Sequence, residues 1–100
     1  MAIYVVAQIT IHDRTRYERY AARFGAVLAK YQGRLLVADE QPELAQGSWT
    51  HDKLVVFGFD DRAALERFRS SDEYTTIARD REAATEGVVL VVRGVSSAPV

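Results

Sequence analysis

The sequence predicts an α+β fold in which helices cover one face of a four-stranded antiparallel sheet. Apolar residues alternate at period two in separate short stretches, and a long stripe at spacings of three and four lies between the first two of them. Turn and cap residues divide the rest, giving the order strand, helix, strand, strand, helix pair, strand.

Ile3, Val5, Ala7, Ile9 and Ile11 alternate with Tyr4, Val6, Gln8, Thr10 and His12, a first strand with one apolar and one mixed face. Asp13 is placed to cap the next helix, its carboxylate accepting from free first-turn amides. Tyr17, Tyr20, Ala21, Phe24, Val27, Leu28 and Tyr31 form one stripe of that helix. Gly33 is expected to end it in the left-handed conformation. Arg34 to Glu40 reads as the second strand, and a loop marked by Pro42, Gly47 and Ser48 follows. Lys53 to Phe59 is the third strand, apolar on both faces apart from Gly58. Asp60-Asp61 turns the chain and caps a short helix carrying Ala64, Leu65 and Phe68. Ser70 and Glu73 stand at capping-box spacing and open a further helix through Tyr74, Ile77 and Ala84, closing near Glu86-Gly87. Val88 to Arg93 is the last strand. Gly94 onward reads as a loose tail, so one domain over residues 1–95 and a flexible tail over 96–100 are expected. Right-handed crossovers reduce this order to the split-βαβ, ferredoxin-like arrangement.

That arrangement leaves one sheet face without helices, yet the first, third and last strands carry apolar residues on both faces. Val89 and Val91 oppose Val88, Leu90 and Val92; Val55, Phe57 and Phe59 oppose Leu54 and Val56. An uncovered face of that kind exceeds the apolar patch a monomer ordinarily shows, and a two-fold contact with a second copy covers it. A homodimer through the sheet face is expected; the alternative is that these valines fill strand positions near the rim.

Composition excludes several function classes. With 13 basic and 14 acidic residues in a chain of 100, net charge −1, there is no basic excess to capture nucleic acid or an anionic membrane. The chain has no cysteine, so disulfides, thiolate metal sites and cysteine nucleophiles are absent and a reducing cytoplasm suits it. The apolar start from Met1 to Ile11 lacks a basic region and a small-residue cleavage site, and nothing later reaches a membrane-spanning length. A cytoplasmic protein, away from nucleic acid and membrane, is expected.

Asp13-x-x-x-Tyr17-x-x-Tyr20 after the first strand, Gly33 before the second and Gly47-Ser-Trp49 before the third form an ordered set with Ser70-x-Glu-Tyr74 and Arg81. In that order the chain resembles the family called domain of unknown function 1330, of the dimeric α+β barrel superfamily, over roughly residues 2 to 95. It departs from the family pattern at Gln32-Gly33, where paired glycines are usual, at Gln46-Gly47, and at Phe68-Arg69. The resemblance implies a ferredoxin-like protomer whose sheet packs on its mate's to form a barrel, and implies no particular activity.

Six residues are candidates for chemistry or binding. Arg81 follows Tyr74 and Ile77 on the inward stripe of the last helix, where a guanidinium can bind a carboxylate or enolate. Its structural alternative is to reach solvent or to pair with Asp39 or Glu40. Tyr74 and Tyr20 are phenols directed at the same cleft, able to orient a substrate oxygen or act as weak general acids, or simply to be core. His51, two residues after the only tryptophan, is suited to proton transfer, although loop histidines are commonly just solvated. Arg81, Tyr74 and His51 are thus the candidate catalytic residues, and Tyr20, Trp49 and Phe57 the candidate ligand-binding ones. His12 is assigned to local hydrogen bonding at its turn. Two histidines some forty residues apart, without cysteine, make no metal site, and no phosphate loop or nucleophile elbow is present. No cofactor is expected. Three classes remain open: a cofactor-free enzyme on a carboxylated or hydrophobic metabolite, a non-catalytic small-ligand binder, and a dimerisation module without a ligand.

Overall fold

A computed structural model describes residues 1–95. The chain runs β1 (Ile3–Ile11), α1 (Arg14–Lys30), β2 (Arg34–Asp39), β3 (Lys53–Phe59), α2 (Arg62–Arg69), α3 (Asp72–Ala84) and β4 (Thr85–Arg93). The four strands form one antiparallel sheet in the order β2-β3-β1-β4. The tail expected at 96–100 lies outside the described residues; Gly94, expected to belong to it, instead donates its N–H to Ala2 O at 2.8 Å and prolongs the β1–β4 ladder.

Register sorts the sheet into two faces. Val5 stands between Phe57 and Val91, Ala7 between Val55 and Val89, and Ile9 between Lys53 and Gly87. This odd-numbered face lies under the helices over β1 and β3, where Ile3, Val5, Ile9, Phe57 and Phe59 are buried, while Val89 and Val91 on the edge strand β4 remain 51% and 37% exposed. Tyr20, Phe24 and Leu28 of α1, Leu65 and Phe68 of α2 and Ile77 of α3 complete one core cluster. Phe68 is its hub, its ring within 6.3 Å of those of Phe24, Tyr31, Phe57, Phe59 and Tyr74. On the opposite face Val6 stands between Val56 and Leu90, with Val37 beyond Val56 on β2. Val88, Leu90 and Val92 remain 46%, 45% and 38% exposed.

Caps follow the sequence reading with local corrections. Asp13 caps α1 by accepting from Arg16 N–H, and Asp61 caps α2 by accepting from Ala64 N–H. The left-handed residue after α1 is Gln32 (φ 66°), the position where paired glycines would supply a second glycine. Gly33 is needed for space instead: a Cβ there would overlap the Leu28 side chain and approach Phe59 at 2.8 Å. Ser71 rather than Ser70 caps α3, accepting from Tyr74 N–H, while Ser70 Oγ donates to Glu66 O. β4 starts at Thr85, three residues before the predicted Val88, directly after the last helical residue. Ala84 O accepts from both His12 N–H (2.7 Å) and Asp13 N–H (3.3 Å), which ties the end of α3 to the β1–α1 junction.

Candidate functional site

Two ion clusters fix α1 against α3. Asp80 accepts from Arg16 Nε at 3.0 Å and from Arg19 at 3.4 Å. Glu73 accepts from Lys30 Nζ at 2.9 Å and from Tyr31 Oη at 2.8 Å, which hold its carboxyl below the usual carboxylate range. Between this helix pair and the sheet lies a cavity of about 240 Å³. An apolar cavity of about 150 Å³ admits benzene, so this one suits a substituted ring or a compact two-ring molecule.

Its walls are aliphatic and aromatic, from Val5, Ala7, Val55 and Phe57 of the sheet and Phe24 of α1. Phe57 packs edge-on to Phe24 at 5.1 Å, so it is wall and core at once. The polar groups come from α1, α3 and the first residue of β3: Tyr17, Tyr20, Tyr74, Arg81 and Lys53. Tyr20 and Tyr74 hydroxyls meet at 3.3 Å with rings edge-on at 6.4 Å. Burial pushes the Tyr20 phenol far above its ordinary value, the neighbouring Tyr74 adds to this, and the Arg81 charge only partly opposes it. Tyr20 therefore stays protonated, and either hydroxyl of the pair can donate to the other. Arg81 Nε is buried with no hydrogen-bond partner. An unsatisfied buried donor costs about 1–3 kcal/mol, a cost that an oxygen placed on it removes.

The acids that could have neutralised Arg81 are engaged elsewhere: Glu40 pairs with Arg14 at 2.7 Å, and Asp39 accepts from Gln41 N–H. Lys53, absent from the sequence-based candidates, lies over the Tyr17 ring at 4.9 Å from its centroid, and Tyr17 stacks at 5.9 Å from Tyr20. Strand parity carried the signal for it, since Lys53, Val55 and Phe57 share a face.

The structure thus unites Arg81, Tyr74, Tyr20 and Phe57, and separates the other two candidates from them. Trp49 Nε1 donates to Gln8 Oε1 at 3.0 Å, and His51 Nδ1 meets Thr10 Oγ1 at 3.2 Å. Gln8 and Thr10 belong to the even-numbered face, so Trp49 and His51 pack together, at 6.0 Å, on the side of the sheet away from the cavity. His51 is therefore not placed to move a proton there, nor Trp49 to cover a ligand. His12 lies 3.3 Å from Glu86 at the strand end. No group of three or more metal-ligating side chains occurs among the described residues, and none of their helices is long and apolar enough to cross a membrane.

Helices on one face of a β2-β3-β1-β4 antiparallel sheet, with a cavity between the layers, define the ferredoxin-like α+β class. Residues 2–95 match Domain of unknown function (DUF1330), and the chain belongs to that family. A protein of unknown function from Rhodopseudomonas palustris superimposes with TM-score 0.80 at 14% identity, over 95% of this chain and 83% of that one. SnoaB, a cofactor-independent oxygenase from Streptomyces nogalater, gives TM-score 0.67 at 16% identity over 98% and 97% of the two chains. A dimeric protein of unknown function and ferredoxin-like fold from Bacteroides fragilis gives 0.68 at 10% identity over 93% and 96%. At these identities the likeness is one of fold. No curated protein matches the chain.

Proposed function

We propose that residues 1–95 act as one domain of a cytoplasmic homodimer and bind a small hydrophobic metabolite carrying a carboxylate or enol oxygen, on which the protein acts without a cofactor. The observation that carries this reading is Arg81, which lines a cavity large enough for such a molecule and whose Nε is buried without a hydrogen-bond partner. Arg81 polarises the ligand oxygen, Tyr74 exchanges a proton with it through its hydroxyl, and the fixed Tyr20 phenol orients Tyr74. Phe57 supplies a flat wall. The exposed even-numbered face supports the dimer, and the dimeric likeness from Bacteroides fragilis agrees with it. The cofactor-independent oxygenase likeness agrees with chemistry that needs no bound group.

One observation favours a second reading, a non-catalytic binder of the same ligands: no histidine or carboxylate is among the described residues lining the cavity, so it holds no conventional general base. A thermal-shift screen of wild type and Arg81→Ala against aromatic and aliphatic carboxylates, ketones and enols tests both. A ligand at a hundred times its Kd contributes about 2.7 kcal/mol and raises Tm by roughly 10 °C or more in a domain this size. The reading requires at least one such hit, lost in the variant. Turnover of that hit selects the enzyme; binding without turnover selects the carrier; no hit in any class removes the small-molecule function.

A further inference from the structure

The ionisable side chains around the cavity, Arg81, Lys53, Tyr17, Tyr20 and Tyr74, all carry hydrogen-bond donors, and no carboxylate or imidazole stands among them. Carboxylates of the surrounding elements are committed outside it, Asp80 to Arg16 and Arg19, Glu73 to Lys30 and Tyr31, Glu40 to Arg14, Asp39 to Gln41 N–H and Asp52 to Ile11 N–H. The side-chain acceptors left are phenol oxygens, and one hydroxyl of the Tyr20–Tyr74 pair already accepts from the other. A neutral enol or phenol entering this site brings a further O–H into a surplus of donors, where its hydrogen finds only phenol oxygens, weaker acceptors than a carboxylate or an imidazole. The same molecule without that proton presents an anionic oxygen that suits the guanidinium, ammonium and phenol donors lining the cavity.

We infer that the cavity selects weakly acidic enols and phenols and holds them as anions, so that binding itself ionises the ligand. The ligand O–H bond breaks, its electron pair stays on oxygen, and the proton leaves to water, there being no carboxylate or imidazole in the cavity to take it. Redox change and a co-reactant are not involved. This rests on the small-molecule reading of the cavity and goes further, because it names the acid class and assigns Lys53 as the second cation of the site. Activation then consists of stabilising the anion rather than of abstracting a proton with a protein base. A site without a base remains chemically competent for an acidic ligand on these terms.

The probe is 4-nitrophenol, whose anion alone absorbs strongly at visible wavelengths, paired with 4-nitroanisole, which has the same ring and nothing to ionise. Both are titrated into the full chain one pH unit below the free phenol's own pKa. The expected result is a visible phenolate band on binding, at least a tenfold gain in ionisation over free probe (about 1.4 kcal/mol). Calorimetry in two buffers of different ionisation enthalpy is expected to report release of roughly 0.4 of a proton or more per site, the difference between a free probe about one-tenth ionised and a bound one at least half ionised. Arg81→Met and Lys53→Met each weaken 4-nitrophenol binding by on the order of tenfold and leave 4-nitroanisole within about twofold, showing that the cavity persists in the variants. If both probes bind equally well with no phenolate band and no proton release, the ionisation inference fails while the small-molecule site stands. If neither probe binds, the ionisation inference falls, and the thermal-shift screen decides the small-molecule site.

Discussion

The two faces of the sheet are built from the same strands and carry opposite kinds of chemistry. Under the helices, β1 and β3 place Val5, Ala7, Val55 and Phe57 around a cavity whose polar groups are two cations and three phenols, with no carboxylate among them, and one donor, Arg81 Nε, has no partner. On the other face, polar side chains satisfy each other, Trp49 with Gln8 and His51 with Thr10, and the unsatisfied quantity is apolar area. An unpaired donor calls for a small polar ligand, and an uncovered aliphatic surface calls for a second apolar surface. Alternation at period two lets β1 and β3 serve both demands, because their successive residues point to opposite faces.

The comparison can be broken most severely at the core that joins the helices to the covered face. Phe68, 1% exposed, touches every layer above that face, and Phe68→Ala is expected to cost about 3–5 kcal/mol in chemical denaturation. A loss below about 1 kcal/mol would show that the helices are not held by this cluster. Leu90→Asp attacks the open face: placing a carboxylate in an apolar contact costs at least several-fold in association, so sedimentation should report a monomer with unchanged helical circular dichroism. A dimer that persists in Leu90→Asp would remove this face as the interface.

Smaller effects sharpen the boundary between the faces. Gly33→Ala is expected to destabilise by about 1–3 kcal/mol, since the methyl group must displace Leu28 or Phe59. Gln32→Gly is expected to stabilise by up to about 1 kcal/mol by relieving a left-handed non-glycine residue. A reversal of these two signs in thermal unfolding would mean that the turn is misassigned. Smallest of all, His51→Ala and Trp49→Phe should leave ligand affinity in the cavity within about twofold, as substitutions on the far face with no shared partner. A tenfold loss measured by calorimetry would bring those residues back into the site.

Much of this was legible in sequence because periodicity reports faces directly. The stripe Tyr17, Tyr20, Phe24 and the spacing Tyr74, Ile77, Arg81 placed three of the six candidate residues on a common side with a fourth, Phe57 of the third strand, and the structure brings these four to one cavity. His51 and Trp49 were illegible for a physical reason: they precede β3, where no alternation fixes a side chain's direction, and their hydrogen bonds to Gln8 and Thr10 decide it. Lys53 had the right parity, but a lysine opening a strand ordinarily reaches solvent, and only the Tyr17 ring beneath it keeps it at the cavity. Gln32 and Gly33 exchanged roles because sequence shows that a glycine is needed near a helix end but not whether for its torsion angle or its lack of a side chain. Ser70 and Ser71 are adjacent hydroxyls, and the turn geometry after α2 chose between them.

The passage from α3 into β4 without a connecting residue, tied by Ala84 to the start of α1, sets how the cavity responds to different guests. Arg81 stands three residues before Ala84, on a segment with no slack through which to retreat. A guest slightly too long meets a wall that cannot step back, and one slightly too short leaves the guanidinium out of reach. Hydrogen exchange in this last turn should be slow and little altered by occupancy, and affinity along a homologous series should peak sharply at one length, since a preformed wall loses little entropy on binding and offers little forgiveness.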